Sequence, residues 1–117
     1  MSGGEGWGLP EFQSVAMGKH CIALNAHAYK DWADEENSIL VSPNGKVPVY
    51  DNIFFRQGLE YNQGNIFDWD ENEFINKLDL VEQRFKLNPV NTAGLKLQSK
   101  YSIANMVDKI LEIMKSL

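Results

Sequence analysis

The chain has 117 residues, 44% of them apolar and 23% charged, with a formal net charge of -5. That length allows one small domain with a modest core, and an acidic balance with scattered Lys and Arg argues against a nucleic-acid binder. A lone cysteine excludes an intrachain disulfide, no apolar stretch approaches the ~20 residues of a membrane span, and the glycine-rich, acidic start lacks the pattern of a signal peptide, so a cytoplasmic setting is expected.

In chain order, Ser2 to Gly8 carries Gly3, Gly4, Gly6 and Gly8, which predicts a tight loop that exposes its backbone. Pro10 suits the first turn of a helix and Glu11 adds a favourable charge there, so a helix is predicted from Pro10 to Met17, with Gly18 as its C′ residue. His20 to Leu24 reads as a short apolar strand ending at Asn25, in which Cys21 is expected to be buried and inert. A short helix over Ala28 to Ala33 follows, then a solvated turn through Asp34, Glu35, Glu36 and Asn37. Ser38 to Ser42 forms a second buried strand, stopped by Pro43-Asn44-Gly45. Two continuous apolar strands joined by a helical crossover predict parallel pairing and an α/β fold.

From Pro43 to Trp69 the pattern is weaker. Val47 to Tyr50 and Ile53 to Phe55, joined at Asp51-Asn52, predict a hairpin that Pro48 confines to an edge, and Arg56 to Gly64 reads as a polar loop. The final third is helical. Asp70 is an N-cap with Glu73 completing a capping box, and Trp69 and Phe74 are placed as a hydrophobic staple. Phe74, Leu78, Val81 and Phe85 mark one face of a helix that ends at Asn88-Pro89. Asn91 caps a helix to about Lys100, and Ser102 caps the last one, whose Ile103, Met106, Val107, Ile110, Leu111 and Met114 form an apolar stripe. These stripes are expected to be core or helix-packing faces.

The strongest chemical feature is the glycine-rich turn running into a helix. Such a turn presents unpaired N–H groups and the positive end of the helix dipole, which suit the phosphates of a nucleotide. Glu5 is placed to accept hydrogen bonds from sugar hydroxyls, and Gln13, about one turn into the helix, to reach another part of the same ligand. A flexible glycine-rich leader in front of an ordinary helix is the competing reading. His20 and His27 flank the first strand without ligands at metal spacing, so packing or surface roles and no metal site are expected. The Asp68-Trp69-Asp70-Glu71 cluster is explained by its N-cap, and Ser2, Ser14 and Ser42 have no nucleophile context.

Glu5-Gly6-Trp7-Gly8-Leu9-Pro10 followed by Glu11 to Lys19 resembles a signature of retaining, group 1 glycosyltransferases of the GT-B fold, the glycogen synthase and sucrose synthase-like kind. The usual form is Glu-Gly-Phe-Gly-Leu-Pro, two variable residues, Glu-Ala-Met-Ala, a variable residue and Gly. The strand at His20 to Asn25, the turn at Tyr29-Lys30-Asp31, the strand at Glu36 to Val41 and Lys100-Tyr101-Ser102-Ile103 match later family blocks, leaving an insertion at about 44–66. The resemblance implies the C-terminal half of a Rossmann-like domain, a short parallel sheet packed with helices, serving as the donor-binding part of a hexosyltransferase. It places Glu5 at the transferred sugar as the catalytic-site residue, Gly6, Trp7, Gly8 and Leu9 at the donor, and Gln13 at the ribose, where the family has glutamate. It further implies a nucleotide-sugar donor, no cofactor or metal, an acceptor of unknown class, and a missing N-terminal part of the parent enzyme. Tyr50, Phe54, Phe55 and Tyr61 would then form an acceptor-facing lip, or else cover the core. The chain alone is expected to be inactive, and an unpaired edge on its first strand to drive two-fold self-association. The rival is a small non-enzymatic α/β module that oligomerises.

Overall fold

A computed structural model describes residues 3–117, so Ser2 of the predicted loop lies outside the described residues. In chain order the elements are α1 (Leu9–Ala16), β1 (Ile22–Leu24), a 3-10 turn (His27–Asp31), β2 (Ile39–Val41), β3 (Pro43–Pro48), β4 (Asn65–Trp69), α2 (Glu71–Leu87), α3 (Thr92–Lys100) and α4 (Ile103–Ser116). The fold is α/β with a helical C-terminal part, as the pattern predicted.

α1 stops where Gly18 allows it to. Gly18 has φ +78°, its N–H donates to Val15 O (2.9 Å), and Lys19 N–H donates to Ser14 O (3.0 Å). This is a Schellman ending, which satisfies carbonyls that the last turn leaves open. The chain then enters β1, which pairs in parallel with β2, Ile22 opposite Ile39 and Leu24 opposite Val41. In the crossover a 3-10 turn at His27–Asp31 replaces the helix predicted over Ala28 to Ala33. The Asp34 turn that closes it is built by the Asp34 Oδ1, which accepts from Glu36 N (3.0 Å) and Asn37 N (2.9 Å). Val15, Ala23, Leu24, Tyr29, Trp32, Val41 and Leu97 form the buried core.

Three helices close round this pair. α3 packs against α1 so tightly that a Cβ on Gly94 would lie 2.3 Å from Val15 O. α2 is tied to the segment before β2 by Arg84, whose guanidinium donates to Ser38 O (3.2 Å) and Glu35 O (2.9 Å). Asn91 joins the layers. It is only 4% exposed, its Nδ2 donates to Asn37 O (2.7 Å) and Lys19 O (3.1 Å), and its Oδ1 caps α3 by accepting from Gly94 N (2.9 Å).

The segment 43–69 departs from the predicted hairpin. β3 begins at Pro43, the expected strand stop, and pairs antiparallel with β4, Lys46 opposite Phe67 and Pro48 opposite Asn65. Val47 to Tyr50 does not pair with Ile53 to Phe55, because the Asp51 carboxylate accepts from the N–H groups of Ile53, Phe54 and Phe55 (each 2.8 Å) and curls that stretch into a turn. Tyr50, Phe54, Phe55 and Tyr61 are exposed rather than covering the core (Phe54 80%).

Two further expectations change. Asp70 caps α2 through Asn72 N and Glu73 N, and Trp69 meets Phe74 at 5.4 Å between ring centroids, as the staple requires. Glu73 does not return to Asp70; its carboxylate accepts from Ser42 N (3.2 Å) and so anchors the end of β2 to α2. The α4 stripe is not a packing face within the described residues, since Ile103, Met106 and Met114 stay 55–76% exposed. On α2, Phe74 and Val81 are half-buried while Leu78 and Phe85 are exposed. Among the described residues no helix is long and apolar enough to cross a membrane.

Asn91→Ala should lower unfolding stability by about 3–5 kcal/mol, from a lost cap and two stranded carbonyls. Asn91→Asp should be worse despite keeping the cap, because it faces those carbonyls with a second oxygen. Urea unfolding ranks the two, and equal stability of Asn91→Asp and wild type would contradict the assignment.

Candidate functional site

The loop before α1 is held from below by three side chains of the crossover. The His27 Nδ1 meets the Glu5 backbone, 3.0 Å from the carbonyl oxygen and 3.3 Å from the nitrogen. The carbonyl contact, the shorter of the two, requires the tautomer with hydrogen on Nδ1. Trp32 donates its indole Nε1–H to Trp7 O (2.9 Å). Tyr29 lies under Gly8, which sits at φ +71°, and a Cβ there would be 2.2 Å from the Tyr29 ring. The position therefore accepts only glycine, for want of both space and an ordinary φ. On the other side Gly3 O accepts from Phe67 N (2.7 Å), joining the loop to β4. These contacts define one loop conformation and disfavour the flexible-leader reading.

The predicted site residues divide into two groups. Trp7 turns its side chain inward, packing edge-on to Phe12 (5.5 Å) and Tyr101 (5.3 Å), so it serves the loop as an anchor. Gly8 is buried beneath the chain. Glu5 is half-buried, Gly6 is exposed with open space where a Cβ would be, and Leu9 is 58% exposed. Gln13 is exposed and lies one turn beyond Leu9, so the two share a face of α1. The helix starts at Leu9, no described side chain caps it, and Phe12 N–H takes Gly8 O (2.9 Å). Pro10 has no N–H and Phe12 N–H is taken, so Leu9 and Glu11 carry the N–H groups of the first turn that a ligand acceptor could meet at the positive end of the dipole.

The electrostatics narrow what can bind. Glu5 and Glu11 bring two carboxylates to this region, and none of the described hydrogen bonds to the loop backbone involves Lys or Arg. Attraction for a phosphate therefore rests on amides alone, while hydroxyl groups find ready acceptors. Burial, and next the Glu11 carboxylate, push the Tyr29 phenol far above its usual range, so it stays protonated. Burial chiefly, with Glu11 again, pushes the Cys21 thiol up to about 11. Cys21, half-buried beside β1, is thus a neutral thiol and no nucleophile at pH 7.

Two polar atoms under the loop, His27 Nε2 and Tyr29 Oη, are buried and lack a hydrogen-bond partner among the described residues. Their rings lie 5.0 Å apart, and His27 also stacks on Phe67 at 5.8 Å. Sequence reading missed the role of His27, for which no local pattern gives a signal; its backbone lies at φ 38°, a region where histidine is among the commoner non-glycine residues. His20 makes a surface contact to Asn88 O (2.8 Å). No group of three or more His, Cys, Asp or Glu positioned for a metal occurs among the described residues. In comparisons, no protein-family model, curated protein or solved structure matches the chain.

Gly8→Ala should cost about 2–4 kcal/mol by combining left-handed strain with a clash on Tyr29. Tyr29→Ala removes a fully buried ring and should cost about 3–5 kcal/mol alone, so relief of the clash should show as a double variant destabilised by less than the sum of the two single variants. Denaturation midpoints measure both, and a Gly8→Ala protein as stable as wild type would contradict the pinned loop.

Proposed function

We propose that the chain is the donor-binding part of a nucleotide-sugar glycosyltransferase and binds its donor at the loop 5–9 and the adjoining face of α1. The observation that carries this reading is the glycine-rich loop pinned by His27, Tyr29 and Trp32 at an uncapped helix start. In this reading the Leu9 and Glu11 N–H groups take the diphosphate, the Glu5 carboxylate takes hydroxyls of the transferred sugar, and Gln13 takes the ribose.

The same geometry limits what the chain does. A departing diphosphate needs its charge neutralised, commonly the largest catalytic contribution, and no cationic side chain bonds to this loop among the described residues. Donor binding without sugar transfer is therefore the expected behaviour, with a Kd on the order of 1 mM, which corresponds to about 4 kcal/mol.

Thermal unfolding in ~10 mM UDP-glucose or GDP-mannose tests the reading. At such a Kd, binding should add about 1.4 kcal/mol and raise Tm by roughly 4–8 °C, while free glucose does nothing. Gln13→Glu should enlarge the shift, since a charged acceptor makes a stronger bond to a ribose hydroxyl and tightens binding about 3–10-fold. No shift with either nucleotide sugar, or an equal one with free glucose, would sink the proposal.

A further inference from the structure

The loop that joins β3 to β4, residues 49–64, is built in a way that donor binding does not use. At its head the chain closes on itself. Asp51 N–H and Asn52 N–H both donate to Phe55 O (each 3.1 Å), and the Asp51 carboxylate takes the N–H groups of Ile53, Phe54 and Phe55 (each 2.8 Å). Five consecutive backbone donors are thereby satisfied inside a turn whose side chains face outward, Ile53 at 70% and Phe54 at 80% exposure. Backbone donors are what make most loops costly to remove from water. Here the N–H share of that cost is already met, and two large apolar groups are left exposed at the turn.

Beside the tip lies a hollow of about 230 Å³ lined by Tyr50, Arg56, Leu59, Glu60 and Tyr61, among others. Its neck is fixed by Gln63, whose side chain donates to Arg56 O (2.6 Å) and accepts from Arg56 N (3.4 Å). The chemistry of the hollow is zwitterionic. Arg56 offers donors to a phosphate, while Glu60 and the tyrosine faces suit a quaternary or primary ammonium. Tyrosine flanking an apolar tip with a cation nearby is also the order of groups found at a bilayer interface.

We propose that this loop docks the protein on a zwitterionic phospholipid surface, with Ile53 and Phe54 in the acyl boundary and a phosphocholine-type headgroup in the hollow. The three amide bonds hold the Asp51 carboxyl below its usual range and therefore charged, which limits insertion to the interface. With Glu60 in the hollow and a net charge of -5, anionic surfaces repel the chain. The inference is independent of the donor reading.

Vesicle flotation of the full chain tests it. The protein should float with phosphatidylcholine vesicles and clearly less with phosphatidylglycerol vesicles. The double variant Ile53→Ser/Phe54→Ser should lose about tenfold or more of the binding, in keeping with the apolar burial removed. Ile110→Ser/Met114→Ser, on the exposed stripe of α4, should leave flotation unchanged. Circular dichroism confirms that both variants fold. Absence of flotation by the wild type, preference for the anionic vesicles, or loss of binding through the α4 variant instead of the tip variant would each overturn the proposal.

Discussion

The carboxamide of Asn91 is the contact on which the arrangement of this small fold depends. The parallel pair β1 and β2 is only three residues long on each side, too short to orient three helices by itself. Asn91 compensates by meeting the turn after α1, Asn37 in the turn that leads into β2 and the first turn of α3 with one buried side chain. Each of its contacts satisfies a backbone group that would otherwise be buried unpaired, so the gain from the contact and the penalty for losing it are unequal in size. The close approach of α1 and α3 at Gly94 follows from this tie, as does the direction in which α1 presents its first turn.

That direction gives the loop its meaning. α1 is held at its C-terminal end by the Gly18 turn, the Asn91 tie and Gln98, which donates to Ala16 O (2.6 Å). At its other end the crossover supplies His27, Tyr29 and Trp32. The helix start therefore has two independent constraints, one at each end of α1. Preorganisation of this kind lowers the ordering cost of binding. It also explains why Trp7 is a large aromatic residue in a loop: its ring belongs to the cluster with Phe12, Trp32 and Tyr101.

Local signals were legible in the sequence and distant ones were not. Gly18 and Pro10 bounded α1 to within a residue, Asp70, Asn91 and Ser102 cap the helices they were expected to cap, and the apolar runs at 22–24 and 39–41 pair in parallel. All of these follow from residues within a turn of one another or from a continuous apolar run. The partner of β3 was missed because Phe67 and Trp69 alternate over only five residues, while the nearer apolar run at 53–55 offered a more obvious mate. What overruled that mate was one carboxylate, Asp51, satisfying the backbone donors a strand would need. The roles of His27 and of Asn91 beyond its cap depend on partners 22 to 72 residues away, which no spacing rule reaches. At the candidate site, Glu5 and Gln13 were proposed from pattern, but the side chains that hold the loop backbone, His27, Tyr29 and Trp32, were not.

The central claim is that a pinned loop offers its amides and its carboxylate to a nucleotide sugar. Amide-resolved NMR during titration with UDP-glucose or GDP-mannose reads this directly. The account predicts shifts at Glu5 through Gln13, including the Gln13 side-chain amide, and at His27 through its bond to Glu5, with the rest of the chain unmoved. Saturating nucleotide sugar that leaves those signals in place, or moves only signals elsewhere in the chain, would contradict it.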